Sequence, residues 1–215
     1  MQEHTTGLIL RIRPLTETSL IILWLTPDLG RIATVAKGAR RPKSPFAGKL
    51  DLFYEADFSF QRSRRSELHT LREVVLRETN EMLRKEIVFL QQASYGAALI
   101  EQTTETETPL ENVFPLLKSF LSHLVLRPPR SASVFAFEMK LLNELGLKPN
   151  LDDAKLSAGA KQILDRLIKL DWPDLDRLKL SETQTTEIAQ FLHGFLIFHL
   201  GKIPKGRNRS LAPSS

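Results

Sequence analysis

The densest chemistry in this sequence is a run of cations. Lys37-Gly38-Ala39-Arg40-Arg41-Pro42-Lys43-Ser44-Pro45-Phe46-Ala47-Gly48-Lys49 holds five Lys or Arg and no acid. Cationic groups that close together, with no counter-charge among them, suit a polyanion such as the phosphates of a nucleic acid. Pro42 and Pro45 turn Arg41 and Ser44 away from helix, and the glycines permit tight turns, so the run reads as a loop. Arg31, Lys37, Arg40, Arg41, Lys43 and Lys49 are the expected phosphate contacts. Phe46 and Tyr54 could stack on bases, and packing of Phe46 into a core is the competing expectation. Lys202, Lys205 and Arg207 form a second candidate basic patch, suited to phosphates or to an acidic partner tail. For either cluster the plain alternative is solvated surface.

Other chemistry is thin. Gly48-Lys49 lacks the upstream glycine spacing of a P-loop, and neither G-x-G-x-x-G nor G-x-S-x-G occurs. The sequence has no cysteine, which excludes disulfides, thiolate zinc sites, iron–sulfur clusters and a cysteine nucleophile. His193 and His199 are about 120° apart on a helix, too far round to converge on one ion. His199 falls on an apolar stripe and is expected to pack there, and Asp152-Asp153 reads as a solvated turn. The expectation is a protein that is not an enzyme, with no cofactor and no metal.

These side chains must be positioned by a chain of 215 residues with 30 Lys+Arg and 25 Asp+Glu, net +5. Residues 1–50 carry eight cations and three acids, and residues 201–215 four cations and no acid. The two ends are therefore basic and the middle mildly acidic. With 42% hydrophobic residues the chain can build a sizeable core. No basic n-region precedes an apolar stretch at the start, and no apolar run approaches the roughly 20 residues of a membrane span, so a cytoplasmic location and no membrane partner are expected.

Five strand signals occupy the first part: Gly7–Ile12, Ser19–Thr26, Arg31–Ala36, Leu52–Phe60 with its period-two alternation, and Leu68–Leu76. Thr26-Pro27-Asp28-Leu29-Gly30 marks a turn. Short strands without long intervening helices favour a small antiparallel barrel or sandwich. Helical signals follow, from about Glu81 to Gln102, after which Gln102–Thr108 reads as a connection. Thr108-Pro109-Leu110-Glu111 looks like the start of a helix running to about Leu126. Further helices are expected from Ser131 or Ser133 to Gly146, from Ser157 to Leu170, and after Ser181-x-x-Gln184.

Several segments together resemble a known family. Glu17-Thr18-Ser19-Leu20, Gly30-Arg31-Ile32 and Val35 through Ser44 are similar to the amino-terminal region of bacterial RecO, the recombination mediator and DNA-annealing proteins. Phe137-Glu138-Met139-Lys140-Leu141-Leu142-Asn143-Glu144-Leu145-Gly146-Leu147-Lys148-Pro149-Asn150-Leu151 resembles that family's F-E-x-x-L-L-x-x-L-G-x-x-P-x-L segment, and His199-Leu200-Gly201-Lys202 with its basic tail also fits. The resemblance implies an α+β chain: a five-stranded OB-fold barrel over residues 1–79, then an all-α domain with a basic tail over residues 80–215. It implies DNA repair and recombination by binding single- and double-stranded DNA, annealing of complementary strands and loading of recombinase, with RecR and single-stranded-DNA-binding protein as partners and the bacterial nucleoid as the place. The family's basic loop falls on Lys37, Arg40, Arg41 and Lys43. Many relatives carry a zinc module of four cysteines after the P-x-L segment. Here Asn150–Leu156 runs straight toward the next helix, so the module and its zinc are not carried over. The competing reading is an RNA- or ribosome-associated OB-fold module.

Overall fold

The computed structural model describes residues 2–211; Met1 and residues 212–215, the last of the expected basic tail, lie outside the described residues. By Cα proximity the chain forms two units, Met1–Glu81 with Thr104–Phe114, and Met82–Thr103 with Pro115–Ser215.

In the first unit β1 (Gln2–Pro14), β2 (Leu20–Thr26), β3 (Gly30–Ala36), β4 (Glu55–Gln61) and β5 (Leu68–Glu78) close into a barrel in the order β1-β2-β3-β5-β4. This is the expected five-stranded OB-fold barrel. Only β3 and β5 are parallel. β1 is long because it serves two neighbours: Gln2–Leu8 pairs with β4, and Leu8–Pro14 with β2. Its first half is polar, so hydrophobic patterning shows only the second. The turn into β3 is built as its composition suggests. Thr26 Oγ1 donates to the Gly30 carbonyl and accepts from Leu29 N–H, and Gly30 takes φ +67°.

Inside the barrel, Trp24 stacks on Phe58 at 4.0 Å, among Ile9, Ile22, Ile32, Phe60, Leu71 and Val74. Burial of each such side chain stabilises by about 1.5–3 kcal/mol. The indole N–H would be costly to bury alone; it donates to Thr34 Oγ1 at 2.9 Å. β4 begins at Glu55 and not at Leu52, because Phe53 takes φ +64°, breaking the extended run while burying its ring.

The Thr108-Pro109 signal does not start a helix. Thr104–Phe114 instead returns to the barrel as a strap, with Thr106 bridged in parallel to Arg31 below the point where β5 begins on β3. The strap also explains Gly30 a second way, since a Cβ there would lie 2.3 Å from the Thr108 carbonyl oxygen.

The second unit contains a 3-10 turn (Glu81–Arg84), of which Glu81 belongs to the first, then α1 (Ile87–Thr103), α2 (Val113–Leu124), α3 (Ser131–Glu144), α4 (Ala158–Lys169), the single turn α5 (Trp172–Leu175), α6 (Glu182–Leu200) and α7 (Arg207–Leu211). α2 starts within the strap. α3 is buried from Ala132 to Met139 on every side, and Phe135, Ala136 and Met139 pack with α4 and α6 residues such as Leu164, Leu167, Ile188 and Leu192. Ser157 caps α4 through Ala160 N–H, and Ser181 with Gln184 forms a full capping box on α6. α3 differs: its N-cap is Arg130, and the Ser133 hydroxyl sits inside the helix against His123 Nε2 at 3.0 Å. His199 is exposed, not packed, and lies beside Phe195 and the exposed Phe198. No helix among the described residues is long and apolar enough to cross a membrane.

Candidate nucleic-acid interface

The basic run leaves β3 after Ala36 and does not return to strand until Glu55. It is a chain of successive turns. Arg41, Ser44, Ala47 and Lys49 N–H groups donate to the carbonyls of Gly38, Arg41, Ser44 and Phe46 at 3.0–3.2 Å. Gly38 and Gly48 take φ +69° and +70°, and open space surrounds the position of a Cβ at Gly48, so conformation alone accounts for that glycine. Several contacts anchor the loop to the barrel, among them Gly38 N–H donating to Ser19 Oγ at 3.4 Å. Arg40 N–H donates to the Thr18 carbonyl in the β1–β2 connection at 3.0 Å. Phe46 is 5% exposed and joins the barrel core. The packing expectation for Phe46 therefore holds, and Tyr54 is half-buried against the same core.

The cations take the outside of this loop. Lys37, Arg40, Arg41 and Lys43 are exposed and Lys49 is half-buried. No carboxylate among the described residues forms an ion pair with them. An apolar plug with unneutralised cations around it is an arrangement able to meet phosphates without first breaking internal salt bridges.

Two of the expected contacts are placed elsewhere. Arg31 is 9% exposed, and its guanidinium donates to Thr104 Oγ1 at 2.7 Å and to the Thr104 carbonyl. It ties the strap to β3 and is not presented to a strand of nucleic acid. Arg207 is 4% exposed and grips Glu138, itself fully buried, in two parallel bonds of 2.7 and 2.9 Å. Tyr95 OH donates to the same carboxylate. Burial opposes the Arg207 charge, but the Glu138 bonds outweigh it and leave that pKa raised; burial and then Glu138 raise the Tyr95 phenol. Of the second basic patch, Lys202 and Lys205 remain exposed, while Arg207 pins α7 inside the helical unit.

Other charged groups escaped the sequence reading altogether. Arg64 and Arg65 are exposed on the β4–β5 connection. Arg62 and His69, which flank them in sequence, form a linked network with Glu3 and Glu107. The Arg62 hydrogen bonds hold the Glu3 carboxyl below its ordinary pKa. The doubled Arg at 64–65 was the available signal.

With no cysteine in the sequence, the four-thiolate zinc module of relatives has no ligands here. Among the described residues no three His, Asp or Glu come together to hold an ion. After Pro149 the Asn150 side chain accepts from Asp152 N–H at 3.0 Å, and Lys161 Nζ donates to the Asp152 carbonyl at 2.8 Å, closing the segment onto α4.

Models of one family match the chain in two parts: Recombination protein O N terminal over residues 1–80, and Recombination protein O C terminal over residues 84–154. The second match stops three residues before the Ser157 cap. A protein called DNA repair protein RecO from Symbiobacterium thermophilum is 33% identical over 147 residues, which is 67% of this chain and 57% of that protein. One of the same name from Alkaliphilus metalliredigens is 34% identical over 149 residues, 68% of this chain and 59% of the relative. The chain thus spans less than two thirds of those relatives' length. A Desulforamulus reducens relative, also called DNA repair protein RecO, aligns over 91% of this chain and 89% of its own length at 25% identity.

Proposed function

Because the chain belongs to the recombination protein O family, in a form without the zinc-binding cysteines, we propose that it is a DNA-binding recombination mediator of DNA repair. It binds single and double strands, anneals complementary single strands and helps load recombinase, acting with RecR and single-stranded-DNA-binding protein in the bacterial cytoplasm at the nucleoid. No bond of a substrate is turned over. The observation that carries the reading is the loop of exposed, unpaired cations at 37–43 on a closed OB-fold barrel.

The mechanism follows from electrostatics. Two complementary strands repel each other through their phosphates, and the cations neutralise charge on both while displacing counterions. Contacts made to phosphates carry no sequence information, so the bases are left free to search for register. The Phe46 plug keeps the loop from collapsing when phosphates leave. Lys202 and Lys205 supply further contacts, or dock an acidic tail of a partner.

The test is fluorescence-monitored annealing of complementary strands together with strand binding across a salt series. Arg40→Ala with Arg41→Ala slows annealing and flattens the log–log salt slope by about 1.4, from two lost single-strand contacts. An unchanged slope removes the loop from the interface. Tighter binding of an RNA strand than of the matched DNA strand would favour the RNA-associated reading.

A further inference from the structure

The connection between β4 and β5 is a second shaped loop, and what shapes it comes from the strap. Residues Arg62-Ser63-Arg64-Arg65-Ser66-Glu67 run from the end of β4 to the start of β5. Ser63 Oγ accepts from Arg65 N–H at 3.3 Å and Ser66 N–H at 3.2 Å, folding the tip. At the entry, Arg62 binds Glu3 through Nε at 2.6 Å and reaches Glu107 Oε2 at 2.5 Å. At the exit, His69 Nε2 contacts Glu107 Oε1 at 2.7 Å, and its Nδ1 accepts from Ser63 N–H at 3.3 Å. A ring nitrogen that accepts carries no proton, so Nε2 is the donor toward Glu107.

One carboxylate thus holds both ends of the loop. Glu107 is itself fixed, with φ +55° and its N–H donating to the Arg31 carbonyl at 2.8 Å. The charges then sort themselves. Arg62 is matched by Glu3 and Glu107, whereas Arg64 and Arg65 are exposed and paired with no carboxylate among the described residues; the exposed Glu67 offsets only part of their charge. The pairing of Ala33 with Leu68 and the bridge from Arg31 to Thr106 put this loop toward the Gly30 end of β3, while the Lys37 loop leaves the other end. Arg31 to Lys37 along a strand is about 20 Å at ~3.3 Å per residue. An extended single strand advances more per nucleotide than the ~3.4 Å axial step of a duplex strand, so this distance is spanned by at most roughly six nucleotides.

We propose that Arg64 and Arg65 form a second phosphate-contact element, and that Glu107 is a positioning residue which sets their loop. The proposal rests on the DNA-binding reading and extends it: one strand is held at two ends of the barrel, not at one loop. Glu107 touches no phosphate; it acts through Arg62 and His69.

The experiment measures binding of the full chain to a fluorescently labelled single strand of about 20 nucleotides, longer than one OB-fold site, across a salt series. Arg64→Ala with Arg65→Ala lowers the slope by about 1.4, and weakens affinity on the order of 25-fold at 0.1 M salt if these contacts vanish at 1 M. Glu107→Gln alone weakens binding several-fold. Added to the double variant it produces no further loss, because it acts only through the loop; a general structural defect would add its own cost. An unchanged slope in the Arg64/Arg65 variant, with wild-type protein binding DNA, overturns this proposal alone. An additive Glu107→Gln loss overturns the positioning role. Failure of the wild-type chain to bind any DNA strand overturns both this proposal and the reading beneath it.

Discussion

The two basic segments, residues 37–49 and 202–209, are hard to tell apart as sequence: each is short, rich in Lys and Arg, punctuated by Gly and Pro, and free of acids. As structure they are opposites. The first turns an apolar residue inward, Phe46, and leaves its cations in water. The second turns a cation inward, Arg207, onto Glu138 and Tyr95. Desolvating a guanidinium costs several kcal/mol, and only a well-placed carboxylate offsets that. The difference between the segments is therefore not in their own residues but in what waits for them. Glu138, 69 positions upstream of Arg207, waits in one unit, and an apolar barrel core waits in the other.

The sharpest way to break this comparison is to remove the waiting partner. Glu138→Ala, or Arg207→Ala, destabilises by about 3–5 kcal/mol in urea unfolding, because each leaves a buried charge alone. Replacing the group together, Glu138→Leu with Arg207→Met and Tyr95→Phe, loses far less. Equal losses from the single and triple variants would mean that packing, not the ion pair, holds α7. In the basic loop the energetics lie in the plug: Phe46→Ala costs about 3 kcal/mol, and Lys43→Ala stays within about 0.5 kcal/mol. A costly Lys43 variant would show that the loop, like the tail, uses its cations internally.

The smallest effect distinguishes the two units by pH. His123, stacked on Trp172, has its pKa lowered from 6.5 by burial. The unfolded chain then binds more protons below about 6.5, so the helical unit loses stability as pH falls from there toward the depressed value. In the barrel unit Thr6 and Arg77 hold Asp57 below 3.8, and Arg62 holds Glu3 below 4.5. Their contribution is present above those values and fades only as pH falls through the lowered ones. Trp172 in a Trp24→Phe background, and Trp24 in a Trp172→Phe background, report the units separately in urea titrations from neutral to acid pH. Simultaneous weakening of both would refute the assignment to His123.

What was legible in the sequence was local. The Thr26–Gly30 turn, the Ser157 cap and the Ser181–Gln184 capping box each need partners within four residues, and the structure builds all three. Of the candidate interface, the loop and its exposed Lys37, Arg40, Arg41 and Lys43 came from composition and Pro/Gly placement. Arg31 and Arg207 were misplaced because their partners, Thr104 and Glu138, lie 73 and 69 positions away. Thr108-Pro109 looked like a helix start because the capping pattern is satisfied locally. The demand of Gly30 for a close backbone neighbour acts at a distance that pattern cannot express.

The strap has a consequence for the order in which this protein is made. A barrel that borrows Thr104–Phe114 is not a contiguous stretch of message. When the ribosome has released the five strands, Arg31 still has no Thr104 to bind, and the Gly30 end of β3, paired with β2 on one edge, still lacks Thr106 on the other. The barrel unit is completed only after all of α1, a helix of the other unit, has been synthesised. The two units thus mature interleaved in time, and a fragment cut after residue 80 stops the first of them one segment short.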